Sequence, residues 1–229
     1  MSRLIVFGDS FSFGQDLDPN KNPRDPRPHP DSWPYLLGDL LELDVINLSI
    51  PGFSNKGIWQ CSTHYPFKSD DLVIMAWSNP DRTFILKEYR NQYCENYARK
   101  DYSNFLVNQT KQLGSWMLED DDPIADAYYS HVYTEADTLL QSFLYMDHAT
   151  QNAKKTTPHV FNVGIPSVEI FGEILQDKST IRPPWFDNDS FLTTMDYEHE
   201  KNMLTQGHLN LAGHKSFALR LYKLLDKTL

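Results

Sequence analysis

The segment Gly8-Asp9-Ser10-Phe11-Ser12-Phe13-Gly14 follows directly on the apolar run Leu4-Ile5-Val6-Phe7. A serine on a turn that closes a strand projects beyond the sheet edge. There its hydroxyl can serve as a nucleophile, and its own backbone N–H can face a bound substrate. The same residue types also make an ordinary strand-to-helix turn or cap, so this segment alone does not decide. A nucleophilic serine needs a base. His208 stands in Gln206-Gly207-His208-Leu209-Asn210, just before an apolar-periodic stretch. A histidine in a loop before a helix is held by the fold yet can face a cleft. An imidazole titrating at about 6.5 when unperturbed suits a general base at neutral pH.

Attack on a carbonyl also needs donors for the negative charge that develops on oxygen. Two further segments offer them. Gly52, in Asn47-Leu48-Ser49-Ile50-Pro51-Gly52-Phe53-Ser54-Asn55, can bring a backbone N–H close to a ligand because it has no Cβ. Asn79, in Trp77-Ser78-Asn79-Pro80, follows a buried strand and carries a side-chain amide that can donate. A turn glycine and an Asx turn before proline are the plain alternatives for these two. His214, six residues after His208, falls inside the helical stretch and reads as packing or a hydrogen bond. The other six histidines have no motif around them.

These segments need a scaffold that brings them together. Leu4–Phe7, Val45–Leu48, Asp71–Trp77 and His159–Ile165 read as buried parallel strands, each closed by a polar or Gly/Pro turn. Residues 18 to 34 hold six prolines and form a surface loop. Asp31-Ser32-Trp33-Pro34 opens a helix running through Tyr35–Leu43, and residues 54 to 62 and 133 to 153 are helical. Leu211–Leu225 repeats apolar residues with helical spacing and one buried face. Strands alternating with helices predict an α/β fold, a three-layer doubly wound parallel sheet. Such sheets place their ligand sites beyond the carboxyl ends of the strands, where the polar segments fall. The 229 residues read as a single domain, with 84–130 as an insertion or lid and Asp120-Asp121-Asp122-Pro123 as a break.

The formal net charge of −10 sets this chain apart from proteins that bind nucleic acid or an anionic membrane face. Cys61 and Cys94 stand in no CxxC pair, so no zinc or disulfide framework is read. The start has only four apolar residues in a row, short of a secretory core, and no run approaches a membrane span. A cytoplasmic location is the expectation.

Taken together and in order, the four segments resemble the sequence blocks of the SGNH (GDSL-type) hydrolases. The resemblance runs from Leu4 to the last helix. It is nearest to small cytosolic-type members with segments like Gly8–Gly14, Trp33–Leu37 and Asn47–Asn55, a style also met in viruses of bacteria. It implies a flavodoxin-like sheet and a serine esterase acting on short acyl esters, such as an O-acetyl group on a glycan. Ser10 would be nucleophile and His208 base, with an oxyanion hole built from Ser10, Gly52 and Asn79. No metal or organic cofactor is implied, and the partner would be a small-molecule or glycan ester. A binding or structural protein on the same scaffold, or an acyltransferase, are the alternatives.

Two positions depart from the family pattern. The acid that usually stands three residues before the histidine is here Thr205. Thr205 Oγ, a backbone carbonyl, or Asp196, Glu198 or Glu200 would then orient the ring. The usual Gly-x-Asn-Asp is here Trp77-Ser78-Asn79-Pro80, so Trp77 would narrow the pocket or supply a stacking wall. Asp9 and Trp77 are the pocket candidates.

Overall fold

A computed structural model describes residues 1–18, 27–86, 110–164, 191–194, 204–205 and 207–228. Five strands form one parallel sheet: β1 (Arg3–Phe7), β2 (Asp44–Asn47), β3 (Asp71–Trp77), β6 (Val160–Gly164) and β7 (Phe191–Thr194). Their spatial order is β2-β1-β3-β6-β7. Side chains on a strand alternate between faces. In β1 and β3 both faces are apolar, so both can be covered. Ile5, Phe7, Val73, Met75 and Trp77 pack on one side against α3 (Asn55–Thr63) and α5 (Glu135–Lys154). Leu4, Val6, Leu72, Ile74 and Ala76 pack on the other against α2 (Trp33–Leu41) and α6 (Leu211–Leu225). The result is the expected three-layer α/β arrangement.

Local chemistry sets the helix ends. Ser54 accepts a bond from Gly57 N–H, Thr134 from Asp137 N–H and Asn210 from Gly213 N–H, so α3, α5 and α6 each start on a side-chain cap. The stretch Asp120–Pro123, expected as a break, is also a helix start. Asp122 caps α4 (Pro123–His131) through Ile124 and Ala125 N–H, with Pro123 in its first turn. Within the span expected as an insertion, β4 (Thr83–Leu86) pairs antiparallel with β5 (Thr110–Leu113), and a 3₁₀ turn (Ser115–Leu118) follows. None of these joins the five-stranded sheet. β7 was not foreseen; its four residues have neither an apolar run nor a clear alternation. Among the described residues no helix is long and apolar enough to cross a membrane.

Two polar pins fix the layers. Arg3 makes a two-point bond to the buried Asp71, at 2.8 and 2.7 Å, tying β1 to β3 at their starts. His214 is wholly buried in α6 and accepts a bond from Trp33 N–H at 3.1 Å, joining α6 to α2. Burial pushes the His214 imidazole down to about 3, and the nearby His29 and His208 add to the shift. His214 is therefore a neutral acceptor at physiological pH, a packing and hydrogen-bonding role as expected from its place in the helix.

Candidate active site

Strand order decides which loops meet. With β1 between β2 and β3, the segments after these three strands lie side by side at one sheet edge. Hydrogen bonds lock them together. Asn47 donates from Nδ2 to the carbonyl of Ser12 at 2.8 Å, tying the end of β2 to the turn after β1. Ile50 N–H donates to Gly8 O at 3.1 Å. Asn55 accepts from Ser78 N–H at 2.7 Å and donates to Ser78 O at 3.0 Å, tying the end of β3 to the start of α3.

Ser10 is the first residue of α1 (Ser10–Phe13), a single helical turn capped by Asp9 through Phe11 N–H. At that position a backbone N–H has no partner within the helix. Gly14 ends the turn at φ 79°, a left-handed conformation that glycine adopts without strain. The chain then bends through Asp16, at φ 66°. Asp is among the few side chains that visit this region. His208 comes from β9 (His208–Leu209), which packs against α1, and its ring lies 4.9 Å from that of Phe11.

The three side chains form one line. His208 Nε2 is 2.9 Å from Ser10 Oγ, and His208 Nδ1 is 2.7 Å from Asp16 Oδ2. Ser10 is buried, while His208 and Asp16 keep 18% and 27% of their side-chain surface, so the line opens to solvent on one side. With Nδ1 protonated and held by the carboxylate, the Nε2 lone pair faces the serine hydroxyl. That is the tautomer a general base requires.

Gly52 adopts φ 74°, and nothing lies within 4 Å of where its Cβ would be. The turn holds its backbone in the left-handed region, and the space beside its Cα is open. Asn79 Oδ1 accepts from Asp81 N–H at 3.4 Å, the Asx turn that was the plain reading. The bond engages the oxygen and leaves the Nδ2 end as the donor. Asn79 also lines a cavity of about 460 Å³ beyond the end of β3.

No protein-family model matches the chain, and no curated protein matches it. Solved structures do. One is a carbohydrate esterase whose active site is described as having divergent catalytic and non-catalytic binding functions (TM-score 0.57, 10% identity). A second is a family 2 carbohydrate esterase with a carbohydrate-binding domain from Corynascus thermopiles (Myceliophthora fergusii) (TM-score 0.53, 12% identity). A third is the psychrotrophic esterase EstA from Pseudoalteromonas sp., in a form inhibited by monoethylphosphonate (TM-score 0.50, 10% identity). The fold is that of these esterases. Each match covers 99% of this chain; the chain spans 65% of the first protein, 66% of the second and 98% of the third.

Within this esterase fold three expectations are corrected. Asp9, expected in the pocket, is fully buried and used up structurally. It accepts from Phe11 N–H, from Ser78 Oγ at 2.7 Å and from Arg82 at 2.8 Å. Trp77, expected as a pocket wall, is wholly buried in the sheet core and donates from its indole N–H to Asn162 at 2.7 Å. A β3 residue whose side chain points into the layer cannot face a ligand beyond the strand end. Thr205 was expected to orient the ring; its backbone pairs with His208 across β8 (Leu204–Thr205) and β9, but the single Nδ1 position is held by Asp16. Asp196, Glu198 and Glu200, the other candidates, lie outside the described residues.

The buried Asp9–Arg82 pair gives a stability prediction. Asp9→Ala would strip the cap from α1 and leave a guanidinium only 17% exposed without its carboxylate. Loss of one partner from such a pair costs about 3–5 kcal/mol. Urea unfolding should show a drop of that order in the free energy of unfolding. A loss under about 1 kcal/mol would mean the pair is solvent-screened.

Proposed function

We propose that the chain is a serine esterase that cleaves short acyl esters by a two-step acyl-enzyme mechanism. The observation that carries the proposal is the continuous line from Ser10 Oγ through His208 to Asp16, at 2.9 and 2.7 Å. His208 Nε2 takes the Ser10 proton as Oγ attacks the ester carbonyl. Asp16 accepts from Nδ1–H and stabilises the imidazolium that forms. The oxyanion meets the Ser10 and Gly52 backbone N–H groups and the Asn79 amide. His208 then returns the proton to the departing alcohol, and water cleaves the acyl-serine by the same route in reverse.

The acyl group is short and the alcohol is a glycan or a small molecule. Two of the proteins sharing the fold act on carbohydrate esters, which supports that choice. The binding-only alternative was motivated by the missing acid at position 205, and Asp16 removes that motive. An alkylphosphonate ester probe tests the reading: it should add to Ser10 with loss of its leaving group, seen by peptide mass mapping. Labelling elsewhere, or none under conditions where the protein is folded, would overturn it.

Asn79→Ala gives a second test. Loss of one oxyanion donor should lower kcat by about 10² to 10³ with little change in KM. A rise in KM alone would place Asn79 in substrate binding instead.

A further inference from the structure

The cavity beyond β3 has a distinctive chemistry. Its walls include Asn79, Asp81, Tyr129, Tyr133, Glu135 and Leu139, and no Lys, Arg or His among the described residues lines it. Asp81 Oδ1 is buried without a hydrogen-bond partner. Its other oxygen accepts from Ser115 N–H at 3.3 Å. The neighbouring Arg82 does not line the cavity: it donates from Nη1 to Asp9 and Ser78 and lies over the Trp116 ring, while its Nε is buried without a hydrogen-bond partner. The Tyr129 hydroxyl donates to the Asp81 backbone carbonyl at 2.8 Å, which ties that tyrosine to the segment carrying the carboxylate. The rings of Tyr129 and Tyr133 stand 5.2 Å apart and tilted by 56°, so they form a corner rather than a flat stack. Burial, and then the Asp81 charge, raise the Tyr129 phenol far above its ordinary value, so it stays a neutral donor.

An unpartnered carboxylate oxygen in a cavity is costly unless a ligand supplies a donor or a charge. A neutral sugar would give hydroxyl donors but leave the charge of Asp81 unmatched. An ammonium group would match charge and also lie against the negative faces of the tyrosines. We propose that this cavity takes the cationic ammonium end of the substrate, on the alcohol side of the ester cleaved at Ser10. The assignment rests on the esterase reading, and Asn79 links the two, since it borders the cavity and is assigned to the oxyanion hole. A space of about 460 Å³ is far larger than an acetyl group needs, which favours the alcohol side. In the reaction the bond between the acyl carbon and the alcohol oxygen breaks, and a bond to Ser10 Oγ forms. The serine proton leaves on the amino alcohol through His208.

The test compares acetylcholine with its uncharged carbon isostere, dimethylbutyl acetate, with p-nitrophenyl acetate as a general ester. Wild type should favour the cation in kcat/KM by about 10-fold or more. Glu135→Gln, at an exposed position, and Asp81→Asn should each bring that ratio toward one. A wild-type ratio at or below one, or a ratio unchanged in both variants, overturns the ammonium site while leaving the esterase reading standing. If no ester is hydrolysed, p-nitrophenyl acetate included, the esterase reading fails. Calorimetry with tetramethylammonium on Ser10→Ala then tests the cavity by itself. Saturable binding weakened by adding Glu135→Gln supports it, and no binding overturns it.

Discussion

Ser10→Ala is expected to lower kcat for an acetyl ester by about 10⁶-fold, leaving only the residual rate that the remaining donors support. The size follows from the mechanism: without Oγ there is no acyl-enzyme, and His208 at 2.9 Å has nothing to activate. The remaining donors can still bind the ester, so binding of a slow substrate should persist. The fold should survive. The change removes one buried hydroxyl whose partner, His208, retains access to water, so the stability change should be about 1 kcal/mol or less. Circular dichroism and a urea midpoint check that condition. Equal turnover by wild type and variant would show that the nucleophile is another group.

The sheet was legible because β1 and β3 are continuous apolar runs, and a run apolar on both faces has to lie between two layers. The C-terminal helix, Leu211–Leu225, lies where its spacing put it. The segments bearing Ser10, Gly52 and Asn79 were legible as strand-end loops, and the β2-β1-β3 order makes them neighbours. Their framing was less visible. Asn47, Asn55 and Asp9 stand in the same segments as the candidate residues, yet their side chains serve to tie loops together. Sequence position does not distinguish a carboxylate that faces a ligand from one that faces an arginine. Trp77 follows the same logic: its place in a motif suggested the pocket, whereas it is the last residue of a strand buried on both faces and belongs to the core. Asp16 carried one local signal, as a residue tolerant of left-handed backbone two positions after a glycine that ends a helical turn. Its distance to His208 depends on how β9 packs on α1, which no local pattern encodes.

That placement makes Asp16→Asn the second large effect. Asparagine keeps the size of the side chain and accepts φ 66°, where alanine would add backbone strain of roughly 1–2 kcal/mol. The amide no longer stabilises an imidazolium with a full charge, and its NH₂ end can turn to His208 Nδ1 and favour the tautomer protonated at Nε2. That tautomer cannot take the Ser10 proton. In a Ser-His-Asp site the equivalent loss is about 10⁴ in kcat, and KM should change little because Asp16 does not touch the ester. Thr205→Asp alone should bring no gain, since His208 has one Nδ1 proton and Asp16 already takes it at 2.7 Å. In the Asp16→Asn background the same substitution should recover part of the lost kcat, because position 205 pairs with His208 across the β8–β9 bridge. Measuring kcat and KM for the two single variants and the double on one acetyl ester separates the cases. A loss below about tenfold in Asp16→Asn would make its bond to His208 incidental, and a gain from Thr205→Asp in the wild-type background would show that Nδ1 was not satisfied by Asp16.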